Sequence, residues 1–240
     1  MKVAPFVEPK YPLVSTTLAL RLPRDLNMYL AIEGVIGVGK TTLARLLQPM
    51  FDASILLEAF EENPFLSDFY ADRRRYAFQT QIFFLLSRYH QQRDAVPQAL
   101  AIGNLISDYT FDKDALFARL NLSGDELKTY DRLHAALAER LHPPHLTVYL
   151  RVTTEVALQR IISRDRPYER NMDADYIDRL NRTYENHFAE ARDSTLAIDT
   201  TSLDIVRNPD DLAEVAGRIR DVLGIPPFQP ELPFQRGSSL

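Results

Sequence analysis

A doubly wound α/β domain, with a five-stranded parallel sheet flanked by helices, is what this 240-residue sequence predicts. Short apolar runs alternate with longer helical patterns, the arrangement that builds a parallel sheet with helical crossovers. The first run leads through a glycine-rich loop, "YLAIEGVIGVGKTT", into a helical pattern, and such sheets bind ligands at that kind of junction. The length suits one sizeable domain better than two small ones.

Strands are expected at Met28 to Glu33, Ser54 to Glu58, Asn104 to Asp108, Leu146 to Arg151 and Thr195 to Asp199. Helices are expected at Lys40 to Met50, Phe65 to Val96, Gly124 to Leu141, Thr153 to Arg164, Asp173 to Arg192 and Asp210 to Leu223. Pro97, Pro143, Pro144, Pro167 and Pro209 fall at or near their boundaries, as helix breakers should. Residues 1–27 hold four prolines and no clear period, so they read as an irregular extension. Residues 28–224 form the folded domain, and 225–240 a proline-rich tail.

Composition excludes several classes. A net charge of −5 offers no general attraction to nucleic acid, and the basic residues do not cluster into a patch. No apolar run approaches the length of a membrane span. The absence of cysteine excludes disulfides and thiolate metal sites and fits a cytoplasmic protein.

Gly34 to Thr41 reads GxxxxGKT between a strand and a helix, the context of a phosphate-binding loop. Gly34, Gly37 and Gly39 let the backbone wrap phosphate oxygens. The helix that opens at Lys40, Thr41 and Thr42 points its positive end at them. Lys40 is expected to reach the β and γ phosphates of ATP, and the Thr41 hydroxyl to ligate magnesium. Asp108, at the tip of the third strand, is placed to hold the same metal or its waters. A GTPase base-reading NKxD motif is missing, and the one DxxG lies near the C-terminus, so a switch GTPase is disfavoured.

The second strand runs into "SILLEAFEENPFL", which sets Glu58 at the sheet edge. A carboxylate beside a transferring phosphoryl group makes sense when it accepts a hydroxyl proton. No arginine adjoins Glu58 in sequence, which favours an uncharged alcohol as acceptor.

Four segments, "LLEAFEENPFL", "FQTQIFFLLSRYHQ", "SDYTFDKDALFA" and "RIISRDRPYE", follow the loop in an order that resembles the deoxynucleoside kinase family, most of all its bacterial deoxyadenosine and deoxyguanosine kinases. The resemblance runs from about Met28 to about Leu223. It implies a P-loop kinase fold with a lid, transfer of the ATP γ-phosphoryl group to a 2′-deoxynucleoside 5′-hydroxyl, and a homodimer. It also implies residue roles. Gln81 reads the nucleobase edge, Arg88 meets a base acceptor together with Asp112 or Asp114, and Phe117 stacks on the base. Tyr70 and Glu169 hold the deoxyribose. Gln81 and Arg88 are seven residues apart in a helical pattern, which puts them on one face. The third segment departs from the animal enzymes, whose acidic or polar residue is followed by Arg and Ser. Here the order is Ser107, Asp108, Tyr109, so either Glu58 lacks an arginine partner or another arginine supplies the charge.

Arg160, Arg164 and Arg166 sit around a break marked by Pro167 and fit a lid over the triphosphate, with Arg164 also contacting ATP. The expected protein is thus a magnesium- and ATP-dependent deoxynucleoside kinase of nucleotide salvage that prefers a purine and binds neither nucleic acid nor membrane. Alternatives are a thymidylate-kinase-like enzyme, a broader deoxynucleoside kinase that also takes deoxycytidine, and a nucleotide-sensing module without turnover.

Overall fold

Five strands pair in parallel: β1 (Tyr29–Glu33), β2 (Ala53–Leu56), β3 (Asn104–Ser107), β4 (Leu146–Arg151) and β5 (Thr195–Asp199). Their order across the sheet is β2-β3-β1-β4-β5. They belong to a computed structural model in which residues 27–170, 172–190 and 194–226 are described. The extension and tail expected at the two ends lie outside those residues, apart from Asn27, Ile225 and Pro226. β1 is buried along its whole length and lies between β3 and β4, so the connections depart to opposite sides of it. Crevices that bind ligands form at the carboxyl edge of such a switch.

Among the described residues eight α-helices surround the sheet: α1 (Lys40–Leu47), α2 (Leu66–Ala71), α3 (Arg73–Ile102), α4 (Lys113–Asn121), α5 (Gly124–Ala138), α6 (Thr154–Arg164), α7 (Ala174–Glu190) and α8 (Pro209–Leu223). The main core packs residues of β1 and β4 with Leu43 and Leu47 of α1, Ile161 of α6, Leu180 of α7 and Ile219 of α8. A second cluster joins Phe69, Leu85, Tyr89, Ala118 and Tyr130, and so ties α2, α3, α4 and α5 together. The helix ends follow local chemistry. Thr153 accepts from the Val156 amide to start α6, and Asn208 accepts from the Asp210 amide before Pro209 in α8.

Three expectations change. The Phe65 to Val96 helix is two helices, because Asp72 leaves helical geometry and its carboxylate accepts from the Arg75 amide, capping α3. Pro97 does not end α3, which continues to Ile102; Val96, Ala99 and Leu100 pack against Tyr29, Leu56 and Leu105 and hold that end in place. α4 was not expected at all. Lys113, Asp114, Ala115, Leu116 and Ala118 are all buried, so this nine-residue helix has no polar face to give it a period.

Candidate active site

The carboxyl ends of β1, β2 and β3 open into a cavity of about 520 Å³. The loop from β1 to α1 forms one wall. Gly34, Gly37 and Gly39 all adopt positive φ. At Gly37 an added Cβ would lie 2.6 Å from the Ala157 carbonyl oxygen and 2.7 Å from Ile161, so the loop can lie against α6 only without a side chain there. Lys40 Nζ folds back onto the loop, donating to the carbonyls of Gly34 at 2.7 Å and Val35 at 3.1 Å. Burial, then the like charge of Lys113, pulls the Lys40 pKa down to about 8, against the opposing pull of Glu33, Glu58 and Asp108.

Glu33 fixes where this loop begins, and the sequence reading passed over it. Its carboxylate is fully buried and accepts from the Gly34 amide, the Thr110 amide and hydroxyl, and the Tyr184 hydroxyl. One side chain thereby joins the phosphate loop to the segment after β3 and to α7. The available signal was a carboxylate inside an otherwise apolar strand, a residue that must find partners when buried.

Asp108 lies just past β3 and is 5% exposed. Its Oδ2 accepts from the Thr41 hydroxyl at 2.5 Å and its Oδ1 from the Glu58 amide at 2.8 Å. β2 ends at Leu56, so Glu58 is held by its neighbours rather than by the sheet. The Gln91 amide donates to the Leu57 carbonyl at 2.8 Å, and Gln91 accepts from the Tyr109 hydroxyl at 2.5 Å.

The Glu58 side chain is 12% exposed and pairs with two cations, Arg88 at Oε1 and Lys113 at Oε2. The arginine absent after Asp108 is thus replaced by Arg88 from α3, with a lysine from α4 beside it. Burial raises the Glu58 pKa, but these cations and the bonds they donate outweigh it and hold the carboxyl well below the usual carboxylate range. Arg88 has a raised pKa: burial lowers it, and Glu58 more than compensates. The aspartate paired with Arg88 is Asp114, whose side chain is fully buried, and not Asp112. Asp112 precedes α4 and lines a separate cavity of about 310 Å³. The two aspartates are two positions apart, on either side of Lys113.

The same cavity is lined by Leu66, Phe69, Tyr70, Phe84 and Phe117. Gln81 is 2% exposed and lines the cavity too, and its Oε1 meets no hydrogen-bond donor among the described residues. A buried carbonyl oxygen without a donor suits a ligand that brings one. Glu169 is 4% exposed and receives Arg164 at 2.5 Å and Arg166 at 3.6 Å. Arg166 also stacks over Phe60, 4.1 Å from the ring centre. Arg160 is engaged differently. Its guanidinium donates to the Val38 carbonyl at 2.8 Å and to the Thr200 carbonyl at 2.9 Å, so it pins the phosphate loop to the segment after β5. Thr41 and Thr42 line the cavity, whereas Gly34 does not.

Thr200, Leu203, Asp204, Ile205 and Val206 also line the cavity, and the sequence did not single them out. They follow β5, so position alone marked them: a loop at the carboxyl edge of a parallel sheet. Among the described residues no cluster of three or more acidic or histidine side chains could by itself hold a metal ion. No described helix is long and apolar enough to cross a membrane.

A parallel five-stranded sheet, a glycine-rich phosphate loop and a buried carboxylate across one cavity define a kinase of the P-loop class. The family profile for deoxynucleoside kinases matches residues 30–224, and the chain belongs to that family. It is 32% identical to a deoxyguanosine kinase of Bacillus subtilis over 201 residues, covering 81% of this chain and 97% of that one. A deoxyguanosine kinase of Lactobacillus acidophilus is also 32% identical, over 81% of this chain and 90% of that one. A solved structure of deoxyadenosine kinase from M. mycoides, with the products dCMP and a flexible dCDP bound, superposes with a TM-score of 0.71 at 26% identity, covering 81% of this chain and all of that one.

Proposed function

We propose that this protein transfers the γ-phosphoryl group of ATP to the 5′-hydroxyl of a 2′-deoxynucleoside, with preference for a purine. The observation that carries the proposal is that the phosphate loop, Glu58 and Gln81 line one cavity, and that the Gln81 carbonyl oxygen has no donor among the described residues. The triphosphate lies along Gly37, Gly39, Lys40, Thr41 and Thr42, with its base toward Leu203 to Val206. The nucleoside lies between Tyr70, Phe84 and Phe117, with its base toward Gln81 and the Arg88–Asp114 pair and its sugar toward Tyr70 and Glu169.

Glu58 receives the hydroxyl proton. Its depressed pKa makes it a weak base in the free protein, and that suffices here. In a loose phosphoryl-transfer transition state, positioning and charge stabilisation do most of the work, and the hydroxyl becomes acidic as its bond to phosphorus forms. Arg164 and Arg166 can turn from Glu169 to the transferring group, while Arg160 keeps the loop in place. Magnesium suits this site: Thr41 and Asp108 already bring oxygen donors together, and this ion is commonly held by one or two protein oxygens plus phosphates. When bound it supplies positive charge to the phosphate oxygens.

The resemblance further supports a homodimer, whose mass sedimentation would read, and the absence of cysteine fits a cytoplasmic location. The deoxyadenosine/deoxycytidine kinase of Bacillus subtilis, 31% identical over 67% of this chain, favours a second reading in which deoxycytidine is also accepted. Release of ADP with each of the four deoxynucleosides and with their monophosphates separates these readings. Turnover with deoxyguanosine or deoxyadenosine is expected. Turnover with monophosphates alone would contradict the assignment.

A further inference from the structure

Lys113 opens α4 and is 6% exposed. A buried ammonium needs a counter-charge, and among the described residues its carboxylate partner is Glu58 alone. Arg88 is anchored twice, to Glu58 and to the fully buried Asp114. The group therefore balances, with the carboxylates of Glu58 and Asp114 against the cations of Arg88 and Lys113. Lys113 and Lys40 line the same cavity as Glu58, and the Lys113 charge is felt at Lys40 in the phosphate loop.

We propose that Lys113 shifts its pairing from Glu58 to the newly formed 5′-phosphate during turnover, an electrostatic role that rests on the function proposed above. The 5′-oxygen forms a bond to the γ-phosphorus of ATP as the bond from that phosphorus to the β–γ bridging oxygen breaks. ADP leaves with that oxygen and its electron pair, and the 5′-hydroxyl proton passes to Glu58. Glu58 is then neutral, and the balanced group holds one positive charge in excess. Arg88 remains paired with Asp114. Lys113 has lost its partner, an unpaired buried cation is unfavourable, and its flexible four-carbon stem can carry the ammonium to the product phosphate. A lysine from α4 thereby covers the charge that no arginine after Asp108 supplies.

The test compares the wild-type protein with Lys113→Met and Lys113→Arg. It measures kcat, KM and the affinities for a deoxynucleoside, its 5′-monophosphate and ATP. Lys113→Met should lower kcat about 10- to 100-fold, the scale of one charge-assisted hydrogen bond. Its monophosphate affinity should fall about 10-fold or more, while nucleoside and ATP affinities stay within about 3-fold. Lys113→Arg should restore the preference for monophosphate and most of kcat. Equal losses of nucleoside and monophosphate affinity, an unchanged kcat, or an arginine variant no better than the methionine one would overturn the proposal. If the methionine variant does not fold, the arginine variant decides: loss of its monophosphate preference overturns the proposal, and retention supports it. A wild-type protein that phosphorylates no deoxynucleoside overturns the proposed function as well. An active wild type whose methionine variant keeps its monophosphate preference overturns this inference alone.

Discussion

Glu58 is where the chemistry of single residues is most exposed to test. Its ordinary pKa is 4.5, and in the fold it is held far lower by Arg88 and Lys113 against the effect of burial. A carboxyl whose folded pKa is depressed contributes stability that is fully present above its unfolded pKa and is lost as pH falls toward the folded value. The contribution should therefore be complete at neutral pH and fade below about pH 4.5. Glu58→Gln leaves Lys113 without an anion, and breaking a buried pair in this way costs about 3–5 kcal/mol. Thermal unfolding of both proteins from pH 3 to pH 7 should show the variant melting well below wild type at neutral pH, with the gap narrowing in acid. A constant gap would show that the Glu58 pairing is not what stabilises this region. The carboxylate itself was legible in the sequence because it closely follows a short apolar run, although the strand stops at Leu56. Its partners were not, since Arg88 lies 30 residues away and Lys113 lies 55 away. No local pattern encodes contacts that reach across α2, α3 and β3.

At the scale of elements, the strands were readable and the helix boundaries less so. Buried parallel strands appear as short apolar runs, whereas Asp72 divides two helices without glycine or proline to mark the place. α4 was hidden for a related reason: a helix buried on several sides lacks the polar stripe that makes the period visible. The register of α4 then decided which aspartate reaches Arg88, which is why Asp112 and Asp114 could not be separated beforehand. The contact of the phosphate loop with α6 gives a direct test. Gly37 has φ +85°, and a Cβ there would press on the Ala157 carbonyl and Ile161. Holding a side chain in such a conformation costs about 1–3 kcal/mol. Gly37→Ala should weaken ATP about 10-fold or more, since each 1.4 kcal/mol is a factor of ten. Equilibrium titration with ATP measures this, and an affinity equal to wild type would show that the loop tolerates the methyl group without leaving α6.

For the molecule as a whole, one cavity joins two halves that the sequence revealed unequally. The phosphate loop was plain, because its glycines and lysine are contiguous and its strand and helix flank it. The acceptor side emerged only from scattered segments whose order resembles a family, and the loop from Thr200 to Val206 carried no motif at all. Arg160 connects these parts by bonding both Val38 and Thr200, which ties the phosphate loop to the segment after β5. The halves meet at Glu58, and its proton acceptance is the central claim. The most direct measurement is kcat for Glu58→Gln at saturating ATP and deoxynucleoside, with ATP affinity determined in parallel. The account predicts a loss of about 10²- to 10⁴-fold in kcat, the usual contribution of a positioned general base, with ATP affinity within about 3-fold of wild type. Turnover at the wild-type rate would contradict it.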